Sequence, residues 1–120
     1  MRTEQLPQVR HLEKKHLPAV AALEVAAAHD PRLVYEGVAW TGGGVREYLR
    51  GGRGLVAVNE AGTVVGFALF HAPLDCRHLS VAKLVAPSRP AHRALYIALL
   101  GVAAQLGRDE LKLPIVLELG

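Results

Sequence analysis

Hydrophobic and polar positions change period along the chain, and each period predicts a different element. Residues 8–12, in which Val9 and Leu12 are the apolar members, predict a short strand near a sheet edge. Over residues 17–28 the apolar positions recur every three to four residues, as they do in a helix with one face in a core. Pro18 suits the first turn of that helix, and Pro31 predicts its end, because the residue before a proline is pushed out of helical geometry.

The clearest local pattern is a pair of strand-like runs, 55–59 and 63–70, joined by residues 60–62. The runs are rich in Val, Leu and Phe, and the joining loop contains a glycine that permits a tight reversal. The pair therefore predicts a β-hairpin. A further strand is predicted over 77–86, and a short helix over 45–50 lies between two glycine-rich breaks.

The longest predicted helix, residues 91–106, is apolar almost all round. Over residues 94–106 its only strongly polar side chain is Gln105. A helix of this kind needs cover on more than one side. Gly107 ends it, and a last strand is predicted over 111–119.

The predicted order is strand, helix, short helix, three strands, helix and strand, with residues 32–41 assigned to no element. Hairpin connections favour antiparallel pairing, and the final strand–helix–strand unit adds a parallel neighbour through a right-handed crossover. The fold class is therefore α+β, an α/β/α layered arrangement in which helices cover a mixed, mostly antiparallel sheet. Residues 1–120 are expected to form a single domain.

Composition narrows the function classes. The 120 residues are 51% hydrophobic and 21% charged, which excludes a disordered chain. No apolar run reaches the roughly 18–20 residues of a membrane span, and the N-terminal residues lack the apolar core of a signal peptide. One cysteine, Cys76, cannot form an internal disulfide, so a reducing cytoplasm is the expected compartment.

The net charge of +3 is compatible with a phosphate-bearing ligand. Because the basic residues are scattered, a nucleic-acid-binding function rests on charge alone and is not favoured. Arginine outnumbers lysine by ten to four, and Asn, Gln, Cys and Met are scarce. This bias fits a heat-adapted source, a thermophile, although a GC-rich genome would produce the same composition.

The element order and several local sequences resemble the GNAT (GCN5-related N-acetyltransferase) superfamily. Residues 9–10 with 17–24 are similar to its opening strand and helix, and residues 62–68 resemble its second, glycine-bearing hairpin. Residues 84–87 resemble the end of its fourth strand, just before the acetyl-CoA pyrophosphate loop. The resemblance implies helices on both sheet faces and transfer of an acetyl group from acetyl-CoA to an unidentified small-molecule or peptide amine.

The same resemblance implies where acetyl-CoA binds. Backbone amides at the end of the 77–86 strand would hold the pantetheine arm, and the start of the next helix would hold the pyrophosphate. The family pattern there is Arg/Gln-x-x-Gly-x-Gly/Ala; in this chain His92 stands at the first glycine, and Pro90 removes one N–H. The expected cofactor-binding residues are Leu84, Val85, Ala86, Arg89, Ala91, His92, Arg93 and Ala94.

Length is a second departure from the family, whose members usually continue with another helix and two more strands. The chain is expected to lack these elements and the tyrosine that often acts as general acid there. The uncovered apolar helix and the open strand edge then predict a homodimer. Two functions stay open: an N-acetyltransferase, or a non-catalytic GNAT-like binding or dimerisation module with a degenerate CoA site.

Candidate catalytic groups are few. Acetyl transfer needs a base for the acceptor ammonium, and the 77–86 strand has no carboxylate. Glu118 on the last strand and Glu60 in the hairpin turn are the candidates, each with a solvated surface charge as the alternative.

Other polar and aromatic residues allow two interpretations each. Four residues form either a metal or acid–base cluster or a polar loop with a half-buried thiol: His71, Asp75, Cys76 and His78. No metal is expected there, because the family needs none. Tyr96 contacts the cofactor or, as the favoured alternative, belongs to the core. Trp40, with Tyr35 and Glu36, walls the acceptor pocket or anchors the core.

Overall fold

The computed structural model describes residues 6–27, 34–36, 45–71, 78–107 and 110–112, and for 27, 34–36, 78 and 110–112 it describes the backbone alone. Six strands and three helices lie in these ranges, and a single 3-10 turn, Lys14–His16, leads into the first helix. The elements are β1 (Gln8–His11), α1 (Leu17–Ala27), β2 (Val34–Glu36), α2 (Val45–Arg50), β3 (Gly54–Val58), β4 (Val64–His71), β5 (His78–Val85), α3 (Arg89–Gln105) and β6 (Glu110–Lys112).

Four strands form the centre of the sheet in the order β1–β3–β4–β5, and all their pairings are antiparallel. The outer edge of β5, the edge away from β4, is shared by two short strands. β6 pairs in parallel with the first residues of β5, and β2 pairs antiparallel with its last residues. The predicted hairpin, the edge position of β1 and the parallel neighbour after α3 are confirmed, whereas β2 was not predicted.

Two apolar cores lie on opposite faces of the sheet. On one face α3 buries Leu95 and Leu99 completely against the side chains of β3, β4 and β5. On the other face α1 and α2 contribute Val20 and Tyr48, which pack with Phe67 and its neighbours. The structure therefore has the predicted α/β/α layers, with helices on both faces of the sheet.

A β-bulge interrupts the regular alternation of β5. Leu69 is opposite Lys83 and Phe70 is opposite Val81, so Ala82 is an extra residue on β5. Ala82 belongs to the core on the α1 side, and Lys83 reaches a residue of α1 as well. The bulge thus turns two consecutive side chains toward the same helix.

The boundaries of α3 differ from the prediction, whereas its cover does not. The helix begins at Arg89 rather than at residue 91, because the Ser88 side chain caps it and Pro90 fits its first turn. Only one side of α3 is covered by the described residues: Ile97 is 53% exposed and Leu100 is 43% exposed. This exposure agrees with the sequence-based expectation of an apolar helix that the chain itself leaves partly uncovered.

Two further expectations concern the apolar face of α1 and the extent of the last strand. Val25 of α1, predicted to lie on the apolar face, is 73% exposed. The helix turns that position away from the sheet and leaves Val20 as its fully buried residue. The predicted last strand is described over Glu110–Lys112, and its remaining residues lie outside the described ranges.

Candidate functional site

The last residues of β5 were expected to hold the pantetheine arm through their backbone amides, as the family resemblance implies. Their outer edge forms a ladder with β2, in which Val34 is opposite Val85 and Tyr35 is opposite Leu84. The side chains of Leu84, Val85 and Ala86 are buried in the two cores, so only their backbone could contact a ligand. The outer backbone edge at Leu84 and Val85 is thus paired with another strand of the same chain.

The start of α3 offers fewer backbone donors than a glycine-rich loop. The Ala91 N–H donates to Ser88 Oγ at 3.3 Å, and the His92 N–H donates to the Ser88 carbonyl oxygen at 3.0 Å. Pro90 has no N–H. Among the first four residues of α3, Arg89 is the one whose N–H has no assigned acceptor within the described ranges.

Side chains at the start of α3 complement this shortage of N–H groups. Arg89 and Arg93 are exposed, whereas Ala91 and Ala94 are buried against the sheet and cannot touch a ligand with their side chains. His92 is half-buried, and its Nε2 is a buried polar atom without a hydrogen-bond partner among the described residues. An unsatisfied buried group costs about 1–3 kcal/mol, so this atom is suited to a ligand.

The environment of His92 keeps its ring neutral. Burial lowers the pKa of His92 below its ordinary value, because burial penalises the charged imidazolium. Its ring stacks in parallel on that of Tyr96, with 6.5 Å between the centroids. Tyr96 itself is 39% exposed, so the favoured expectation that it belongs to the core is wrong.

Gly66 of β4 brings the start of α3 close to the end of β5. A Cβ atom on Gly66 would lie 3.0 Å from the Val85 carbonyl oxygen, 3.2 Å from Leu95 Cδ1 and 3.4 Å from Ala91 Cβ. Any side chain there would push α3 away from the sheet. The glycine therefore sets the distance between the β5 end and the α3 start.

A charged pair missed by the sequence analysis lies at the β5 bulge. Lys83 Nζ is 2.8 Å from Glu24 Oε2, and the two side chains are 10% and 30% exposed, respectively. The sequence signal that could have placed Glu24 toward the sheet is its spacing. Glu24 follows the buried Val20 by four residues and so lies on the same helix face. The structure thus places a carboxylate against β5, the strand that lacks one of its own.

A second polar cluster joins the ends of β4 and α2 to the start of β3. Arg53 Nη1 donates to His71 Nδ1 at 2.9 Å, and His71 Nε2 lies 2.8 Å from Tyr48 Oη. Because arginine can only donate, the neutral His71 ring carries its proton on Nε2 and donates it to Tyr48. The Arg53 guanidinium also lies over the Tyr48 ring, 5.1 Å from its centroid.

Burial and charge shift the proton equilibria of this cluster in opposite directions. Burial, and then the neighbouring Arg53, lower the pKa of His71, whereas burial raises the pKa of Tyr48. Both groups are therefore neutral at pH 7.

The sequence-predicted metal or acid–base cluster is described only in part. The side chain of His71 is engaged as above, and Asp75 and Cys76 lie outside the described residues. Within the ranges that the structure describes, no three potential ligand side chains are grouped to hold a metal ion.

The remaining candidates are dispersed. Glu60 lies in the β3–β4 turn and lines a cavity with Arg10 and Lys15, and that lining includes no residue of β5 or α3. Glu118 and Trp40 lie outside the described residues, so their roles stay predictions. In the described part of the chain, no helix combines the length and apolarity that crossing a membrane requires.

Solved structures of other proteins share the fold of this chain. The N-acetylglutamate synthase of Neisseria gonorrhoeae, solved with coenzyme A and N-acetylglutamate, matches 91% of this chain and 25% of its own length, with a TM-score of 0.66 and 17% identity. The GNAT-superfamily phosphinothricin acetyltransferase of Sinorhizobium meliloti, solved with acetyl-CoA, matches 85% of this chain and 62% of its own, with a TM-score of 0.62 and 17% identity.

A third similar structure is the ribosomal-protein-alanine N-acetyltransferase of Brucella melitensis, with a TM-score of 0.57 and 24% identity. It covers 82% of this chain and 68% of its own. In sequence, the chain matches no protein-family model and no curated protein. The protein has the fold of the GNAT acetyltransferases, and it spans a quarter of the length of the N-acetylglutamate synthase.

Proposed function

We propose that the protein is an N-acetyltransferase that uses acetyl-CoA to acetylate an amine, either a small molecule or a peptide. The observation that carries this proposal is the GNAT fold together with the close approach of the β5 end to the α3 start. Similar structures contain coenzyme A or acetyl-CoA, which supports the choice of co-substrate. Acetyl-CoA supplies an activated thioester, and this chain supplies binding, orientation and a proton acceptor.

Side chains rather than backbone amides hold the pyrophosphate in this proposal. The exposed guanidinium groups of Arg89 and Arg93 supply charge at the N-terminus of α3, where the helix dipole also favours an anion. The buried His92 Nε2 gains a partner when a phosphate oxygen lies beside it. These three residues compensate for the N–H lost at Pro90 and the one capped by Ser88.

The pantetheine arm needs the backbone edge at the end of β5. Since β2 forms a ladder with that edge, we infer that pantetheine replaces β2 in the ladder when it binds. The apparent affinity for acetyl-CoA is then reduced by the fraction of molecules in which β2 stays paired.

Glu24 is the residue that we assign as proton acceptor for the attacking ammonium. Its carboxylate lies against β5 at the bulge, where the hydrogen bond from Lys83 holds it in position. This assignment replaces Glu60, which lies with Arg10 and Lys15, and it does not depend on Glu118.

A calorimetric titration with acetyl-CoA tests the proposal. Binding is expected, and reversing charge with Arg89→Glu or Arg93→Glu should weaken it at least tenfold and reduce its salt dependence. The exposed Arg46 of α2 provides the control, since Arg46→Glu makes the same charge change away from α3.

Proline variants in β2 test the replacement step. Consecutive strand residues direct their N–H groups to opposite edges, so Tyr35→Pro and Glu36→Pro form a matched pair, of which one removes an N–H facing β5. The variant that lacks the N–H facing β5 should bind acetyl-CoA more tightly than the other variant. Its affinity should rise about tenfold for each 1.4 kcal/mol by which the β2–β5 pairing is weakened. If neither variant nor the unaltered protein binds at millimolar acetyl-CoA, the acetyltransferase proposal is overturned.

Turnover with a panel of amines completes the test. Glu24→Gln should lower kcat and leave acetyl-CoA binding unchanged, whereas Glu47→Gln on the exposed face of α2 should change neither. Binding without turnover of any amine would leave the non-catalytic module as the function.

Three further properties belong to this proposal. The exposed apolar residues of α3 support a homodimer. The single cysteine supports a cytoplasmic location. The scarcity of thermolabile residues supports a heat-adapted source.

A further inference from the structure

The cavity that Glu60 lines lies apart from the β5 end and the α3 start. It encloses about 660 Å³ between β1, the beginning of α1 and the β3–β4 turn. Its wall is partly apolar, from Ala19, Val58 and Val64, and partly polar, from Arg10, Lys15 and His16. We call it the β1–α1 cavity.

His16 places a hydrogen-bond donor in this cavity. The side chain is only 7% exposed, and its Nδ1 accepts the Glu13 N–H at 3.0 Å. The neutral ring therefore carries its proton on Nε2, and no acceptor for that proton is assigned among the described residues. A buried imidazole that lines a cavity, with one ring nitrogen fixed by the backbone, presents the other to whatever enters.

Cationic donors line the cavity together with acidic groups. Arg10 and Lys15 supply two positive charges, Glu60 supplies a negative charge at the turn, and Glu13 Oε2 lies 3.7 Å from Lys15 Nζ. The 3-10 turn containing Lys15 and His16 runs directly into α1, so the positive end of that helix dipole also lies here. The pKa of His16 is lowered by burial first and then by Lys15, which keeps the ring a neutral donor at pH 7.

We propose that the β1–α1 cavity binds a small organic anion, with its oxyanion at His16, Arg10 and Lys15 and its short apolar body against Val58 and Val64. A carboxylate and a phosphate monoester share this chemistry. The site does not depend on the acetyl-CoA proposal, because none of its lining residues belongs to β5 or α3.

Titrations with butanoate and with butyl phosphate, followed by NMR of the histidine ring protons, test the proposal. At least one anion should shift the His16 signals saturably, and the pKa of His16 should rise, because a bound anion favours the charged ring. The anion that saturates the site at the lower concentration identifies the preferred headgroup, a carboxylate or a phosphate monoester. Chemical-shift changes confined to His92 would assign the anion to the start of α3 and overturn the proposal.

Two variants keep the test independent of folding defects. His16→Asn retains an acceptor for the Glu13 N–H while removing the Nε2 donor, and Arg10→Gln alters an exposed residue. Each should weaken anion binding at least tenfold, measured by calorimetry, while circular dichroism stays unchanged. Arg93→Gln is the control and should leave this binding intact. Equal affinity in His16→Asn and the unaltered protein would also overturn the proposal.

Discussion

His71 connects three separate segments of the chain through two hydrogen bonds. Its ring accepts from Arg53 and donates to Tyr48, and the contact with Arg53 requires the neutral ring. A proton on Nδ1 would break the Arg53 hydrogen bond and place two positive charges together. The cluster therefore links the stability of the fold to pH.

Acidification should destabilise the protein through His71. Because its pKa in the folded state lies below 6.5, the unfolded chain binds the proton more tightly. The stabilising contribution is complete above pH 6.5 and is lost as the pH falls through the folded-state pKa. Urea unfolding at pH 7.5 and 5.5 should show this decrease in the free energy of unfolding, at most about 1.4 kcal/mol per pH unit for one histidine.

A pair of histidine variants isolates this effect. His71→Gln should lower stability at pH 7.5 and make the decrease between pH 7.5 and 5.5 smaller. His11→Gln changes an exposed side chain and should leave the decrease as it is. The remaining pH dependence is expected from His16 and His92, whose pKa values are also lowered by burial. An unchanged decrease in His71→Gln would contradict the assignment.

Residues such as His71, whose contacts join distant parts of the chain, mark the limit of what the sequence could predict. The exposed arginines at the start of α3 and the departure at His92 were predicted from a local pattern. The Glu24–Lys83 pair and the His71 cluster were not, because each joins residues whose proximity depends on how helices pack on the sheet. Sequence separation hides such contacts even when every element is predicted correctly.

At the scale of elements, those with a local sequence signal were predictable, and those that depend on pairing were not. The α2 boundaries and the hairpin strands agree with the prediction within one or two residues, since their apolar periods and glycine breaks are local signals. β2 has three residues and exists as a strand only through its pairing with β5. The Ala82 bulge likewise becomes visible only when β5 is compared with β4.

The packing of α3 on β4 gives a prediction about two glycines. Gly66→Ala should lower the free energy of unfolding by about 1–3 kcal/mol, because its Cβ would lie 3.0 Å from the backbone oxygen of Val85. Gly101→Ala, within α3 and with nothing within 4 Å of its Cβ, should raise stability by about 0.5–1 kcal/mol. Urea unfolding measures both.

The two glycine variants also bear on the ligand site. Displacing α3 from the β5 end should weaken acetyl-CoA binding in Gly66→Ala, whereas Gly101→Ala should bind it as the unaltered protein does. A stable Gly66→Ala protein with unchanged affinity would show that the distance between β5 and α3 does not matter for binding.

At the scale of the whole molecule, the apolar composition is distributed unevenly. The sheet is covered on both faces, yet α3 presents Tyr96, Ile97 and Leu100 to solvent in the described structure. These residues are spaced three and four apart, so they form one continuous stripe along the helix. A stripe of this kind supports self-association, because burying it against a second copy removes apolar surface from water.

Sedimentation velocity at micromolar protein tests the dimer. The unaltered protein should sediment as a dimer, and the double variant Ile97→Lys with Leu100→Lys should sediment as a monomer, because burying two lysines in an apolar interface is costly. Gln105→Lys introduces a charge on the same helix outside the stripe and should remain dimeric. Since both lysine positions are exposed, the monomer should keep its circular dichroism and its affinity for acetyl-CoA. A monomeric unaltered protein would contradict the dimer and leave the acetyltransferase proposal untouched, because the stripe contains none of the residues assigned to the ligand.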